Sequence, residues 1–203
     1  MADTATETTK MGRPRCFCED QAVDAAMRVF WEKGYEGASL NDLTEAMGIN
    51  RPSLYATFGD KAGLFLRAME RYAEGPAGYV KAALELPTAR EVAEALLRGA
   101  VEMLGNPQNP RGCLAVQGAV ACSSDADVVK QAIVEQRKLG ELAIQKRMKQ
   151  AKATGDLSHE ANPADISRYL ATVLNGLGVQ AANGASKTEM MRVAELSLKA
   201  LPF

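Results

Sequence analysis

The sequence predicts an all-α fold of about nine helices, with an N-terminal three-helix helix-turn-helix domain and a larger C-terminal helical domain. Three observations carry that expectation. Apolar residues recur at helical spacing along almost the whole chain, and no second strand candidate exists to pair with any other. The stretch from Ser39 to Lys61, SLNDLTEAMGINRPSLYATFGDK, reads as two short helices joined by a tight turn and the start of a third. Gly75-Pro76 with Gly78 then breaks the chain before a long apolar body. The expected organisation is a tail and basic arm over 1–15, the helix-turn-helix over 16–60, a linking helix over 61–75, and a C-terminal domain over 76–203.

Residues 1–9 show no periodicity and read as a disordered tail. Gly12-Arg13-Pro14-Arg15 follows, and Gly-Arg-Pro suits a short arm in a narrow AT-rich minor groove, where negative potential concentrates around arginine. The place before the glycine, basic in the full form of such arms, holds Met11. From Glu19 to Lys33, Ala22, Ala25, Ala26, Val29 and Phe30 define an amphipathic helix that Gly34 closes. Ser39 with Asp42 forms a capping-box pattern, Leu40, Leu43 and Met47 repeat behind it, and Gly48 supplies a left-handed turn residue. Asn50 is a good N-cap and Pro52 lies in the first turn, where a missing N–H costs nothing. Ile49, Leu54 and Phe58 are expected inward, with Arg51, Ser53, Tyr55 and Thr57 outward. This is the pattern of a DNA-binding helix-turn-helix whose helix from Asn50 to Phe58 enters the major groove. A fourth helix turns Leu64, Phe65, Ala68, Met69 and Tyr72 inward, and Trp31 and Tyr35 complete the small core.

Beyond Gly75 the signals are helical. Thr88 and Glu91 form a capping box ahead of Val92, Leu96, Leu97, Ala100, Val101 and Leu104. Cys113 to Ala121 reads as a buried helix, and Ser124 with Asp127 opens a long helix that Gly155 ends. Asn162-Pro163 starts a helix carrying Ile166, Leu170, Val173, Leu174 and Leu177, and Ser186 with Glu189 caps the last one.

Gly34-Tyr35-Glu36-Gly37-Ala38-Ser39, Leu40 to Gly48, and Ser53 to Phe65 together resemble the TetR/AcrR family of bacterial regulators. The match runs from about Arg15 to Tyr72 in one register. Thr44 stands where most members have alanine, and Ala62-Gly63 replaces the usual Glu-x after the lysine. The resemblance implies Ser39, Tyr55 and Lys61 on phosphates, with Arg51, Ser53 and Thr57 as candidates for base edges. Asn50, Arg13 and Arg15 complete the expected DNA-binding set. It further implies a homodimer through the last two long helices, here Leu170, Val173, Leu174, Leu177, Gly178, Val193 and Leu196. Two glycines in that apolar helix, Gly176 and Gly178, permit close approach of another helix, either a partner's or one of the same subunit. Two recognition helices would then sit one helical turn apart, ~34–36 Å, over a palindromic operator in double-stranded DNA. The C-terminal domain is expected to hold a small apolar effector, with Met103, Cys113, Gln117, Leu139, Met148 and Tyr169 as candidate pocket residues. The implied function is a ligand-released repressor.

Charge narrows these readings. The chain carries a net charge of −1, and Lys10 to Lys61 holds seven basic against eight acidic residues. A non-specific DNA-coating protein would carry a broad basic face, so a few directed contacts are expected instead. The N-terminus lacks a signal-peptide core and no apolar run nears the ~18 residues of a membrane helix, so a cytoplasmic protein off the membrane is expected.

An enzyme is not expected. The one histidine, His159, lies in a polar turn with no nucleophile at a defined spacing. No cofactor or metal is expected either: zinc wants about four ligands, and Cys16-Phe17-Cys18 with one distant histidine supplies too few. The competing reading is a thiol-redox or Cu(I)-responsive regulator signalling through Cys16 and Cys18 or through Cys113, since Cu(I) needs only two or three soft ligands. Cys113 and Cys122 are too far apart on one helix, about 13.5 Å, to bridge each other.

Overall fold

The chain was analysed as a computed structural model that describes residues 17–117 and 127–203. The predicted arm residues Arg13 and Arg15, and Cys16 and Cys122, lie outside the described residues.

Among the described residues there are ten helices and no strand: α1 (Glu19–Gly37), α2 (Leu40–Met47), α3 (Arg51–Phe58), α4 (Lys61–Glu74), α5 (Tyr79–Leu84), α6 (Ala89–Leu104), α7 (Leu114–Gln117), α8 (Asp127–Ala153), α9 (Pro163–Ala182) and α10 (Lys187–Lys199). The one element the sequence reading passes over is α5, whose six residues are too short to show a period.

Local chemistry fixes the boundaries. Ser39, Thr88 and Ser186 each close a full capping box with the acid three residues on. The side chain of Asn50 accepts from the N–H of Ser53, and that of Asp60 from Gly63. Gly48 ends α2 at φ 64, a left-handed conformation that costs a β-carbon dearly. Regular geometry in α1 breaks at Gly34, also at positive φ, and one more turn follows to Gly37.

Packing begins between α1 and α4. Phe65 meets Phe30 edge to face with centroids 5.1 Å apart, and Tyr72 meets Trp31 in the same way at 4.8 Å. Arg71 of α4 grips Asp24 of α1 with two bonds, Nε to Oδ1 at 2.6 Å and Nη2 to Oδ2 at 3.0 Å. Helices α2 and α3 close this small core with Leu43, Met47, Leu54 and Phe58. The second body assembles around α6, which buries Val92, Ala93, Leu96, Leu97, Ala100 and Val101 against its neighbours. Tyr79 of α5 lies so close on α6 that a β-carbon on Gly99 would stand 2.4 Å from its ring.

The two bodies are stitched at α1. The indole N–H of Trp31 donates to the carbonyl of Gly112, 2.9 Å away and buried, and Arg28 Nη2 donates to the carbonyl of Gln108 at 2.7 Å. The loop ahead of α7 is therefore docked on the first helix of the chain.

The glycine pair in α9 divides in function. A β-carbon on Gly178 would meet Cys113 and Val116 at 3.1 Å, so this glycine admits α7 inside the subunit. A β-carbon on Gly176 would meet nothing within 4 Å.

Trp31→Phe keeps an aromatic ring against Tyr72 but leaves the Gly112 carbonyl without its buried donor. The expected cost is about 1–3 kcal/mol. Urea unfolding followed by circular dichroism measures it, and an unchanged midpoint would show that the bond carries no net stability.

Candidate nucleic-acid face and internal cavity

The outward surface of α3 is built from both ends of the turn. Arg51 opens the helix, is exposed, and donates from Nη2 to Asn41 Oδ1 of α2 at 2.8 Å. Tyr55, 47% exposed and one turn on from Arg51, shares a solvent face of α3 with it, whereas Thr57 is exposed ~200° around the axis from Tyr55. Ser53 departs from the expected outward set. It is only 7% exposed, because it turns toward the core side next to Leu54, and its N–H is taken by Asn50. Asn50 is exposed but works as the helix cap.

Ser39 is likewise committed locally. Its hydroxyl donates to Asp42 Oδ2 at 2.8 Å and accepts from the Asp42 N–H at 3.1 Å, so a phosphate would have to compete with Asp42 for that proton. The Lys33 ammonium, 2.7 Å from Asp42 Oδ1, and the Ser39 donors hold the Asp42 carboxyl down to about 2. Lys61 starts α4 with Nζ 4.5 Å from the centre of the Tyr35 ring, and burial lowers its affinity for a proton. A cation on that ring at the head of a helix is well placed to meet a phosphate.

A cavity of about 390 Å³ lies in the second body, between α4, α5, α6, α7, α8 and α9. Met69, Ala100, Met103, Leu104 and Ile144 give it an apolar lining; Tyr72, Tyr79, Cys113 and Arg137 bring polar groups to its wall. The Tyr72 hydroxyl reaches Cys113 Sγ at 3.3 Å and Met103 Sδ at 3.7 Å. Burial first, and the nearby Cys113 second, push the ionisation of Tyr72 and Tyr79 well above the ordinary tyrosine range, so both act as neutral O–H groups. Arg137 of α8 donates from Nε to the carbonyl of Ala115 and from Nη2 to that of Val116, each at 2.8 Å.

Of the predicted pocket residues, Met103 and Cys113 line this cavity and the other four do not. Gln117 turns back to the Arg111 carbonyl, Met148 is fully buried elsewhere in the core, and Leu139 and Tyr169 face solvent. Sequence reasoning missed Tyr72, Tyr79 and Arg137. The first passes for an ordinary core residue, and the others come from elements whose approach no local pattern reveals.

The predicted dimer set also divides. Leu170, Leu177 and Gly178 are buried in the subunit's own core, and Val173 and Leu174 are half-buried, Leu174 on the cavity wall. Val193 and Leu196 of α10 are 47% and 67% exposed, and Val179 and Gly176 of α9 are exposed as well. Cys18 is exposed at the head of α1. Among the described residues no cluster of three or more His, Cys, Asp or Glu could hold a metal ion, and no helix is long and apolar enough to cross a membrane.

The chain is similar to known proteins over nearly its whole length. Residues 22–68 match the family described as bacterial regulatory proteins, tetR family, and residues 91–196 match the tetracyclin repressor-like C-terminal domain. Over 206 aligned residues the chain is 29% identical to the HTH-type transcriptional repressor ComR of Escherichia coli K12, covering 100% of this chain and 98% of that one. It is 33% identical over 162 residues to the HTH-type transcriptional regulator YezE of Bacillus subtilis 168, covering 79% and 84%. A solved structure of a cysteine mutant of the TetR family transcriptional regulator CifR, complexed with 26-bp double-strand operator DNA, superposes with a TM-score of 0.90 at 40% identity, covering 94% of this chain and 100% of that one.

Asp42 gives the helix-turn-helix unit a pH signature. Its folded carboxyl, at about 2, lies below the ~3.9 of an unfolded aspartate. The unfolded chain therefore binds more protons between these values, so the stabilisation is present above about pH 4 and is lost as pH falls through about 2. Asp42→Asn is expected to lower stability at neutral pH and to flatten the acid limb of thermal unfolding. An acid limb as steep as the wild type's would assign that dependence to other carboxylates.

Proposed function

This chain belongs to the TetR family of bacterial regulatory proteins, and we propose that it is a repressor, released by a small effector, that acts as a dimer on a palindromic operator. As a family member it is a helix-turn-helix transcriptional regulator. The finer reading rests on one observation: Tyr72, which lines the cavity, is on the same helix that begins at Lys61 beside the reading head, and its ring packs on Trp31 of α1. An occupant that displaces Tyr72 therefore pushes on both helices that carry α2 and α3.

Arg51 and Thr57 are the proposed base contacts, with Tyr55 and Lys61 on phosphates and Arg13 and Arg15 in the neighbouring minor groove. Ser39 and Asn50 contribute by fixing the helix starts. Repression is favoured over activation because ComR is named as a repressor and the CifR structure carries operator DNA. The partner subunit would cover the outer faces of α9 and α10, where Gly176, Val179, Val193 and Leu196 leave small or apolar surface exposed.

Selecting bound fragments from sheared host DNA tests the reading as a whole, with a two-fold symmetric site as the expected product. Arg51→Ala should weaken binding by about 1–3 kcal/mol through one base position. An equal loss on every sequence would make Arg51 a phosphate contact. Leu196→Asp puts a charge into the proposed subunit interface and is expected to shift sedimentation from dimer to monomer, with operator affinity falling by more than about tenfold. A dimer that survives this change would move the interface elsewhere.

A further inference from the structure

The cavity wall carries a half-buried cation that no carboxylate pairs among the described residues. Arg137 lines the cavity, and of the five N–H groups of a guanidinium, two are spent on the Ala115 and Val116 carbonyls. Among the described residues no carboxylate lies within ion-pairing distance of it. Glu141, one turn along α8 and also on the cavity lining, is taken by Arg168 at 2.6 Å. Lys81 on α5 and Glu85 just past its end lie at the cavity's edge, both exposed and opposite in charge. Burial makes protonation of Arg137 less favourable than for an arginine in water, with nearby Cys113 acting the other way. A cation turned toward a largely apolar space is stabilised most by an anion arriving with hydrocarbon attached, since the apolar part displaces water and strengthens the ion pair.

We propose that the effector is a small amphipathic carboxylic acid, its carboxylate on the uncommitted N–H groups of Arg137 and its hydrocarbon against Met69, Ala100, Met103, Leu104 and Ile144. This inference rests on the cavity being the effector site. With Lys81 exposed at the edge, Arg137 is the half-buried cation, and it matches a singly charged carboxylate better than a phosphate, which carries up to two charges and would leave one unmatched in an apolar site. A volume of about 390 Å³ suits a ligand at the small end of the range for small-molecule pockets. A carboxylate there would draw on the same guanidinium that holds the Ala115 and Val116 carbonyls, and so would act on α7 next to the Gly112 bond to Trp31.

The test compares decanoate with 1-decanol, which share a ten-carbon chain and differ in charge. Calorimetric titration of the full chain gives affinities, and emission of Trp31, the one tryptophan, follows the junction. Wild type should prefer the acid by about tenfold or more. Arg137→Gln keeps a donor for the carbonyls without the charge and should abolish the preference. Arg137→Lys keeps the charge with fewer donors and should retain most of it. Equal affinity of wild type for acid and alcohol overturns the carboxylate assignment and leaves the cavity reading intact. Equal loss of both ligands in both variants would make Arg137 a structural cap of α7 and also overturns it. Gly140 lines the cavity with open space where a β-carbon would stand, so Gly140→Phe should exclude both ligands. Failure of wild type to bind either ligand overturns the carboxylate proposal together with the cavity reading.

Discussion

The contact of Trp31 with Tyr72 and Gly112 is the constraint on which the remaining structure turns. Trp31 is 1% exposed, stands perpendicular to the Tyr72 ring of α4, and gives its only polar hydrogen to a carbonyl in the loop before α7. An indole buried without an acceptor would lose a hydrogen bond to water and gain nothing. Its orientation is therefore fixed jointly by the helix-turn-helix unit and by the second body. Neither α1 nor α4 can shift against the α7 loop without breaking the bond or opening the ring contact. That coupling is reinforced two turns earlier along α1 by the forked Arg71–Asp24 pair, which is half-exposed and so contributes alignment more than energy.

The same economy governs the reading head. Its net charge is close to balanced, and several polar side chains nearest the turn are already spent on architecture. Ser39 and Asp42 hold α2, Asn50 holds α3, and Asn41 steadies Arg51. Few groups remain for DNA, and two of them are held before binding, Arg51 by Asn41 and Lys61 over the Tyr35 ring. Preorganisation of this kind lowers the ordering cost at each contact. It suits recognition by a small number of side chains whose spacing matters more than the field of the whole protein.

Much of the fold was legible because its signals are local. The capping pairs at Ser39, Thr88 and Ser186 and the turn at Gly48 announce themselves within four residues, and the structure places each where the sequence did. The cavity was not legible for the opposite reason. Its wall combines α5, too short to display a period, with Arg137 and Tyr72, which are 65 positions apart in sequence by subtraction of their numbers. Leu139 and Tyr169 looked like pocket residues because an apolar side chain on a helix suggests an inner face, whereas here both sit on outward arcs. Ser53 failed on phase. A helix of eight residues makes little more than two turns, so its inner arc is set by where α1 and α4 stand and not by its own pattern.

The α9 glycines show what kind of information was missing. Sequence offers Gly176 and Gly178 as equivalent small residues in an apolar helix, two positions and ~200° apart around the axis. At that angle they cannot serve one neighbour. Gly178 is consumed by α7 inside the subunit, where a side chain would force Cys113 and Val116 outward and disturb the cavity wall. Gly176 is left on the opposite arc with nothing above it. A single helix thus carries a close-packed face that shapes the cavity and a smooth outer face suited to another subunit. If a second chain docks on that outer face, α9 has one side against the cavity and the other against its partner. Any adjustment of α7 to an occupant then reaches the subunit contact through the thickness of one helix, and the spacing of the two reading heads follows from it.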